Sequence, residues 1–150
     1  MLKYKRVKMS YLVKDYMDKE FPTLDVSASI TEASKVVAEG NKGYTIILEN
    51  GKIKGIVTEW DLVSKILAAE KDPKNVNLKE ILTSQLLTID PDEDLLKASA
   101  IMQQKGVKRL PVVKSGIVYG VLTSQNIAQQ CAVYVNKSVK DILRWSTPIM

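Results

Sequence analysis

The chain has 150 residues, 45% apolar and 26% charged, the balance of an ordinary globular protein forming one domain or two small units that share a core. Its longest apolar runs, such as Thr45-Ile46-Ile47-Leu48, fall far short of the ~20 residues that span a bilayer, so no membrane helix is expected. The net charge of +5 is concentrated at the N-terminus, where Lys3, Lys5, Arg6 and Lys8 precede a remainder of 18 basic and 17 acidic groups. There is no histidine and one cysteine, Cys131, which excludes Ser-His and Cys-His nucleophile pairs, thiolate metal cages and an internal disulfide.

These absences argue against an enzyme, and no catalytic residue and no metal ligand is assigned. The lone cysteine, and an N-terminus without an apolar signal region, point to the cytoplasm. The basic tail is a candidate contact for nucleic acid, although a solvated terminus is the plainer reading.

Residues Val13–Leu62 align with Leu78–Ile127 without a gap, at a constant offset of 65. Eight of the fifty positions are identical, among them Lys14/Lys79, Thr23/Thr88, Asp25/Asp90, Gly51/Gly116, Gly55/Gly120 and Thr58/Thr123. Apolar positions match apolar positions throughout, so the chain reads as one unit used twice, over residues 8–70 and 75–145.

Each unit opens on a short head, Val13–Met17 or Leu78–Leu82, and an extended piece holding Thr23-Leu24-Asp25 or Thr88-Ile89-Asp90. A helix follows. In the second copy Asp90 is the expected N-cap, with Pro91 at N1 and Glu93 at N3, and Leu95, Leu96, Ser99, Ile101 and Met102 trace the apolar face before Gly106 stops it. In the first copy Ile30, Ala33, Val36, Val37 and Gly40 repeat the pattern. A hairpin comes next, Thr45–Leu48 and Ile53–Val57 around Asn50-Gly51, and Leu110–Val113 and Ile117–Leu122 around Ser115-Gly116. Second helices are expected from Asp61 to about Ala69 and from Asn126 to about Tyr134, with Cys131, Ile127 and Val135 on the core face and Met9, Met17 and Met102 as core filler. Val139–Leu143 repeats the head pattern once more, so the tail is expected to return to the core, anchored by Trp145.

The fold class expected is α+β: two repeats, each a small sheet covered by helices, packed sheet to sheet about a pseudo-two-fold axis. A cleft lies between them. One repeat alone would be marginally stable.

The head Val-Lys-Asp-x-Met, the run Lys108-Arg109-Leu110-Pro111-Val112-Val113, and the endings Gly55-Ile56-Val57-Thr58-x-x-Asp61 and Gly120-Val121-Leu122-Thr123-x-x-Asn126 resemble the cystathionine β-synthase (CBS) domain pair over roughly residues 8–145. That resemblance implies two β-α-β-β-α repeats forming a regulatory module without a cofactor. It implies an adenosine-containing ligand (AMP, ADP or ATP first, S-adenosylmethionine or NADH next) in the cleft, and a homodimer through the helices. One site would use Thr58 and Asp61. The other would use Thr123 and Asn126, with Lys108 and Arg109 on phosphate and the acid or amide on ribose. Gly43, Tyr44 and Thr45 stand where Lys108, Arg109 and Leu110 stand in the second copy, so the first copy lacks the basic pair. Backbone near Tyr16-Met17-Asp18 and Ile81-Leu82-Thr83 would frame the base. Asn126 in place of an acid makes the two sites unequal, with one acceptor and no charge.

Plainer readings stand beside these. Thr58 and Asp61 form a helix-capping pair, compatible with anion binding at the same helix N-terminus. Trp60 and Tyr44 are more often packing aromatics than base-stacking ones. Glu59 and Asp61, close in sequence on one helix turn, point apart and do not make an acid–base pair. The leading expectation is a nucleotide sensor reporting to a protein partner in trans, no effector domain being expected within this sequence. The alternative is an adaptor whose basic tail binds nucleic acid and whose cleft stays empty.

Overall fold

The punctuation of each repeat shapes its hairpin. Asn50-Gly51 and Ser115-Gly116 all have positive φ, between 53° and 78°, the geometry that two-residue type I′ turns need. The computed structural model of the chain describes residues 11–83 and 85–146, without the side chains of 141–146. The basic cluster Lys3–Lys8, Met9 and the Trp145 side chain lie outside the described residues.

The first copy runs α1 (Val13–Tyr16), β1 (Thr23–Asp25), α2 (Ile30–Glu39), β2 (Tyr44–Glu49), β3 (Lys52–Thr58) and α3 (Glu59–Leu62), which continues as a π-helical turn, Val63–Leu67. The second copy runs α4 (Leu78–Ile81), α5 (Leu95–Lys105), β4 (Arg109–Lys114), β5 (Ile117–Thr123) and α6 (Ser124–Ser146). β1 pairs parallel with β2, and β2 antiparallel with β3. β4 pairs antiparallel with β5, and Ile89 bridges Val112 in parallel where β1 would stand. The two hairpins share an irregularity at the same repeat position, between Ile47 and Leu48 and between Val112 and Val113. This is the α+β pair of repeats that the alignment predicts.

What the alignment does not reveal is that the repeats exchange heads. Val13 of the first head is buried with Ile89, Leu95, Ala98, Met102, Leu110, Val112 and Leu122 of the second copy. Leu78 and Ile81 of the second head are buried with Ile30, Ala33, Ile47, Val57 and Ile66 of the first. Backbone bridges repeat the exchange, Leu12 with Asp94 and Ser29 with Asn77. Two ion pairs follow it: Lys14 reaches Asp92 at 2.7 Å, and its repeat equivalent Lys79 reaches Glu49 at 2.9 Å. A third cluster, Tyr44, Ile46 and Val121, packed by Phe21, Leu48, Ile53, Ile56 and Val118, joins the two sheets.

Glycines sit where the crossings are tightest. A Cβ on Gly120 would lie 2.6 Å from Met17 Sδ and 2.7 Å from the Asp18 carbonyl oxygen, while one on Gly55 would meet only the Leu82 side chain, at 2.8 Å. The antiparallel bridge between Asp18 and Val121 needs this close approach.

Four expectations are corrected. α5 begins at Leu95 and is capped by Asp94, whose Oδ1 accepts from Leu96 N at 2.7 Å; Asp90 instead caps the preceding turn, accepting from Asp92 N. Leu96 is 80% exposed, because it lies about 100° around the helix from Leu95, off the face that Leu95, Ala98 and Met102 bury. Cys131 and Val135 are exposed, since α6 projects beyond the core in this part. Residues Val139–Leu143 form no third head, for α6 continues unbroken from Ser124 to Ser146. Among the described residues no helix is long and apolar enough to cross a membrane.

Candidate functional site

Each repeat ends by passing from strand to helix through Thr-x-x-Asp or Thr-x-x-Asn, and both are reciprocal caps. In the first, Asp61 Oδ2 accepts from Thr58 N at 2.9 Å and from Thr58 Oγ1 at 2.8 Å, and Thr58 Oγ1 accepts from Asp61 N at 3.2 Å. In the second, Asn126 Oδ1 accepts from Thr123 N at 2.8 Å and from Thr123 Oγ1 at 2.9 Å, and Thr123 Oγ1 accepts from Asn126 N at 3.1 Å. The first backbone amide of each helix crosses to the residue just before the neighbouring strand, Glu59 N to Gly43 O and Ser124 N to Lys108 O. The capping role of these residues is therefore complete in the protein alone, and any ligand uses what is left over.

The leftovers differ. The second oxygen of Asp61, Oδ1, holds Lys65 Nζ at 2.8 Å and keeps one free acceptor position, and Asp61 is only 9% exposed. Asn126 has spent both lone pairs of its oxygen, and its Nδ2 donates to Asp18 Oδ1 at 3.1 Å. The cap therefore occupies the oxygen of Asn126 that was expected to accept from a ligand.

Two cavities open at the junction of the repeats. The first, about 510 Å³, holds Thr58, Glu59, Trp60 and Asp61 on one wall, Thr83 of the exchanged head on another, and Gly43, Lys108 and Arg109 between. The second, about 380 Å³, holds Thr123 and Asn126, Asp18 of the other head, Lys42 and Tyr44, and again Lys108 and Arg109. The family resemblance implied the basic pair for the second site alone, yet it borders both. Arg109 Nη2 donates to Lys42 O at 3.2 Å, and its guanidinium lies 5.4 Å from the centre of the Tyr44 ring. Gly43 makes room for this: its φ is +72°, and a Cβ would stand 3.0 Å from Arg109 Nη2.

Of the remaining predicted residues, Thr45 is buried below the site, its hydroxyl donating to Pro22 O at 3.3 Å, and lines neither cavity. Met17 packs on Gly120 and leaves the cavity wall to its neighbour Asp18. Tyr44 is 1% exposed, and its hydroxyl has no hydrogen-bond partner among the described residues. Burial first, and then the Asp18 charge, push that phenol up to about 12 against the opposing pull of Arg109. Trp60, 74% exposed, forms a rim of the first cavity. Sequence reasoning missed the side chains of Asp18 and Lys42, which an ion pair of 3.7 Å joins in the second cavity. The signal available was Asp18 at the head position that Thr83 occupies in the other copy.

With this geometry in hand, comparison with known proteins is direct. A family model described as CBS domain matches residues 13–68 and 78–132. The homoserine O-acetyltransferase of Methanohalobium evestigatum is 35% identical over 119 residues, 78% of this chain but 23% of that protein. The chain spans about a quarter of the length of the homoserine O-acetyltransferases it matches. The CBS domain-containing protein YhcV of Bacillus subtilis is 28% identical over 116 residues, 77% of this chain and 82% of that one. Among solved structures, the CBS domain pair of protein MJ0100, in complex with 5′-methylthioadenosine and S-adenosyl-L-methionine, superposes with a TM-score of 0.75 at 31% identity. That match covers 83% of this chain and 98% of the other. The hexameric CBS-CP12 protein from bloom-forming cyanobacteria, at 24% identity and a TM-score of 0.72, shares the fold over 80% of this chain and 67% of its own.

Proposed function

The chain belongs to the CBS-domain family, and from that premise we propose that it is a regulatory module that binds an adenosine-containing ligand between its repeats. The observation that carries this reading is the pair of cavities, each walled by the cap of one repeat and the head of the other, with Lys108 and Arg109 shared between them. A ribose needs acceptors and a phosphate or carboxylate needs cations, and both kinds of group face these spaces. The free acceptor position of Asp61 takes a ribose hydroxyl, and Lys108 and Arg109 take the anionic end. The complex of protein MJ0100 with two adenosine compounds supports this ligand class.

A ligand touching both walls ties the repeats together, so it favours whichever arrangement brings them closest. Regulation follows if a protein partner reads that arrangement. We also propose that two copies associate through their helices, where Trp60, Val63 and Leu67, and on α6 Val133, Tyr134, Val135 and Val139, are exposed apolar side chains.

Isothermal titration with AMP, ATP, NADH, 5′-methylthioadenosine and S-adenosylmethionine tests the central claim. At least one is expected to bind, and Asp61→Ala is expected to remove the first site. Absence of heat and of thermal shift with all five refutes it.

A further inference from the structure

An acid and a lysine accompany both cavities, but they occupy opposite halves of the repeat. In the first cavity, which Glu59 also lines, the acid held in the cap is Asp61, paired with Lys65. At the repeat-equivalent positions of the second copy stand Asn126 and Gln130, which carry no charge. In the second cavity the acid is Asp18 on the head, beside Lys42. Their equivalents in the first cavity are Thr83 and Val107, again uncharged. Acid and lysine have changed position together.

The hydrogen-bond count gives this exchange a consequence. The orientation of the Asn126 amide is fixed, because Thr123 N–H requires an oxygen opposite it. That oxygen is filled by two donors, and the amide nitrogen spends one hydrogen on Asp18 Oδ1. With the Thr123 hydroxyl turned to that oxygen, Asn126 offers the cavity a single N–H and no open acceptor position. Asp18 retains Oδ2, with Lys42 Nζ 3.7 Å away, and is half-exposed on the cavity wall. We infer that Asp18 is the specificity-determining acceptor for the vicinal hydroxyls of a ribose in the second cavity. The amide of Asn126 positions its carboxylate, and the ribose is gripped from the head side, opposite to the grip at Asp61.

This assignment rests on the adenosine-ligand reading, and its test separates the two. Two-dimensional ¹⁵N NMR titrations follow the Thr123 backbone amide for the second cavity and the Trp60 indole N–H for the first. The probes are AMP and 2′,3′-dideoxy-AMP. In the unaltered protein, AMP is expected to bind the second cavity at least about tenfold more tightly than its dideoxy counterpart, the worth of a hydrogen bond to a charged acceptor. Asp18→Asn is expected to erase that preference at Thr123 and leave the Trp60 response unchanged. Adding Asn126→Asp to Asp18→Asn, which returns the acid to the cap, is expected to restore it.

A preference that survives Asp18→Asn overturns the role of Asp18 while leaving the functional reading intact. So does a second cavity that fails to fill with AMP while the first fills. Binding of neither nucleotide at either reporter, together with no response to S-adenosylmethionine, overturns both.

Discussion

Replacing Gly120 with alanine tests whether the exchanged heads hold the fold together. The added Cβ would lie 2.7 Å from the carbonyl oxygen of Asp18, a backbone atom that cannot rotate away, and 2.6 Å from Met17 Sδ. The first head must therefore retreat from β5. Overpacking of this kind costs about 1–3 kcal/mol. The retreat also weakens the paired bonds Asp18 N to Val121 O, 2.9 Å, and Val121 N to Asp18 O, 3.0 Å, each worth about 1 kcal/mol. Alanine gives back about 0.4–1 kcal/mol by restricting the unfolded chain. The net loss is about 2–4 kcal/mol, a large part of the 5–15 kcal/mol typical of a native protein. At roughly 2–4 °C per kcal/mol for a chain of this length, the melting midpoint falls by about 5–15 °C.

The internal control is Gly55→Ala at the equivalent position. There the three atoms nearest the new Cβ are Cδ2, Cδ1 and Cγ of the Leu82 side chain, which can swing aside. Its cost is about 1 kcal/mol or less after the same entropic offset. Thermal and urea unfolding of the two variants, in parallel with the unaltered protein, gives the comparison. The reasoning is refuted if the two variants melt together, or if Gly120→Ala melts at or above the parent.

Tyr44→Phe is expected to raise unfolding free energy by up to about 1 kcal/mol in urea titrations, because it removes a buried hydroxyl that has no partner and keeps the ring under Arg109. Acid is expected to loosen the heads. Asp92 is held below the usual carboxylate range by its hydrogen bonds to Lys14 and Lys114, and Glu49 by those to Lys79 and Lys54. A lowered folded pKa contributes stability that is complete above the unfolded value, about pH 4, and is lost as pH falls through the folded one. Below about pH 4, Lys14→Met and Lys79→Met variants should therefore show a shallower decline in melting temperature than the parent. Ending the chain after Ala132 is expected to leave the melting midpoint of the monomer nearly unchanged, since Val133, Tyr134, Val135 and Val139 are exposed; a large fall would show that this part of α6 packs on the core.

The repeat made most of the local structure legible. Asn50-Gly51 and Ser115-Gly116 announce the hairpins, and the two Thr-x-x-Asp/Asn endings announce the caps, because these features depend on residues within a few positions of one another. The start of α5 was misread because Asp90 and Asp94 both precede apolar residues, and only the path of the chain shows which one caps the helix. Nothing local in Val13–Tyr16 states which copy will bury it, so the exchange of heads was invisible, and with it the arrival of Asp18 beside Asn126. The same reason explains Lys108 and Arg109. Their place before β4 suggests one site, whereas only the packing of the two sheets sets them between two. An amide such as Asn126 also looks like an acceptor in a sequence, and its saturation by Thr123 becomes apparent only from geometry.

The crossing of the heads bears on how such a chain can arise and how it comes apart. A lone repeat leaves the groove that receives its neighbour's head empty, and its own head has nowhere to dock. Two separate repeats can meet both needs only by clasping each other, which makes a handshake of two short chains the natural forerunner of this fused pair. Cutting the linker near Pro73, where a short helical turn, Pro73–Asn75, separates the copies, should not release two independent halves. The fragments should stay clasped as a two-chain complex and unfold in one step.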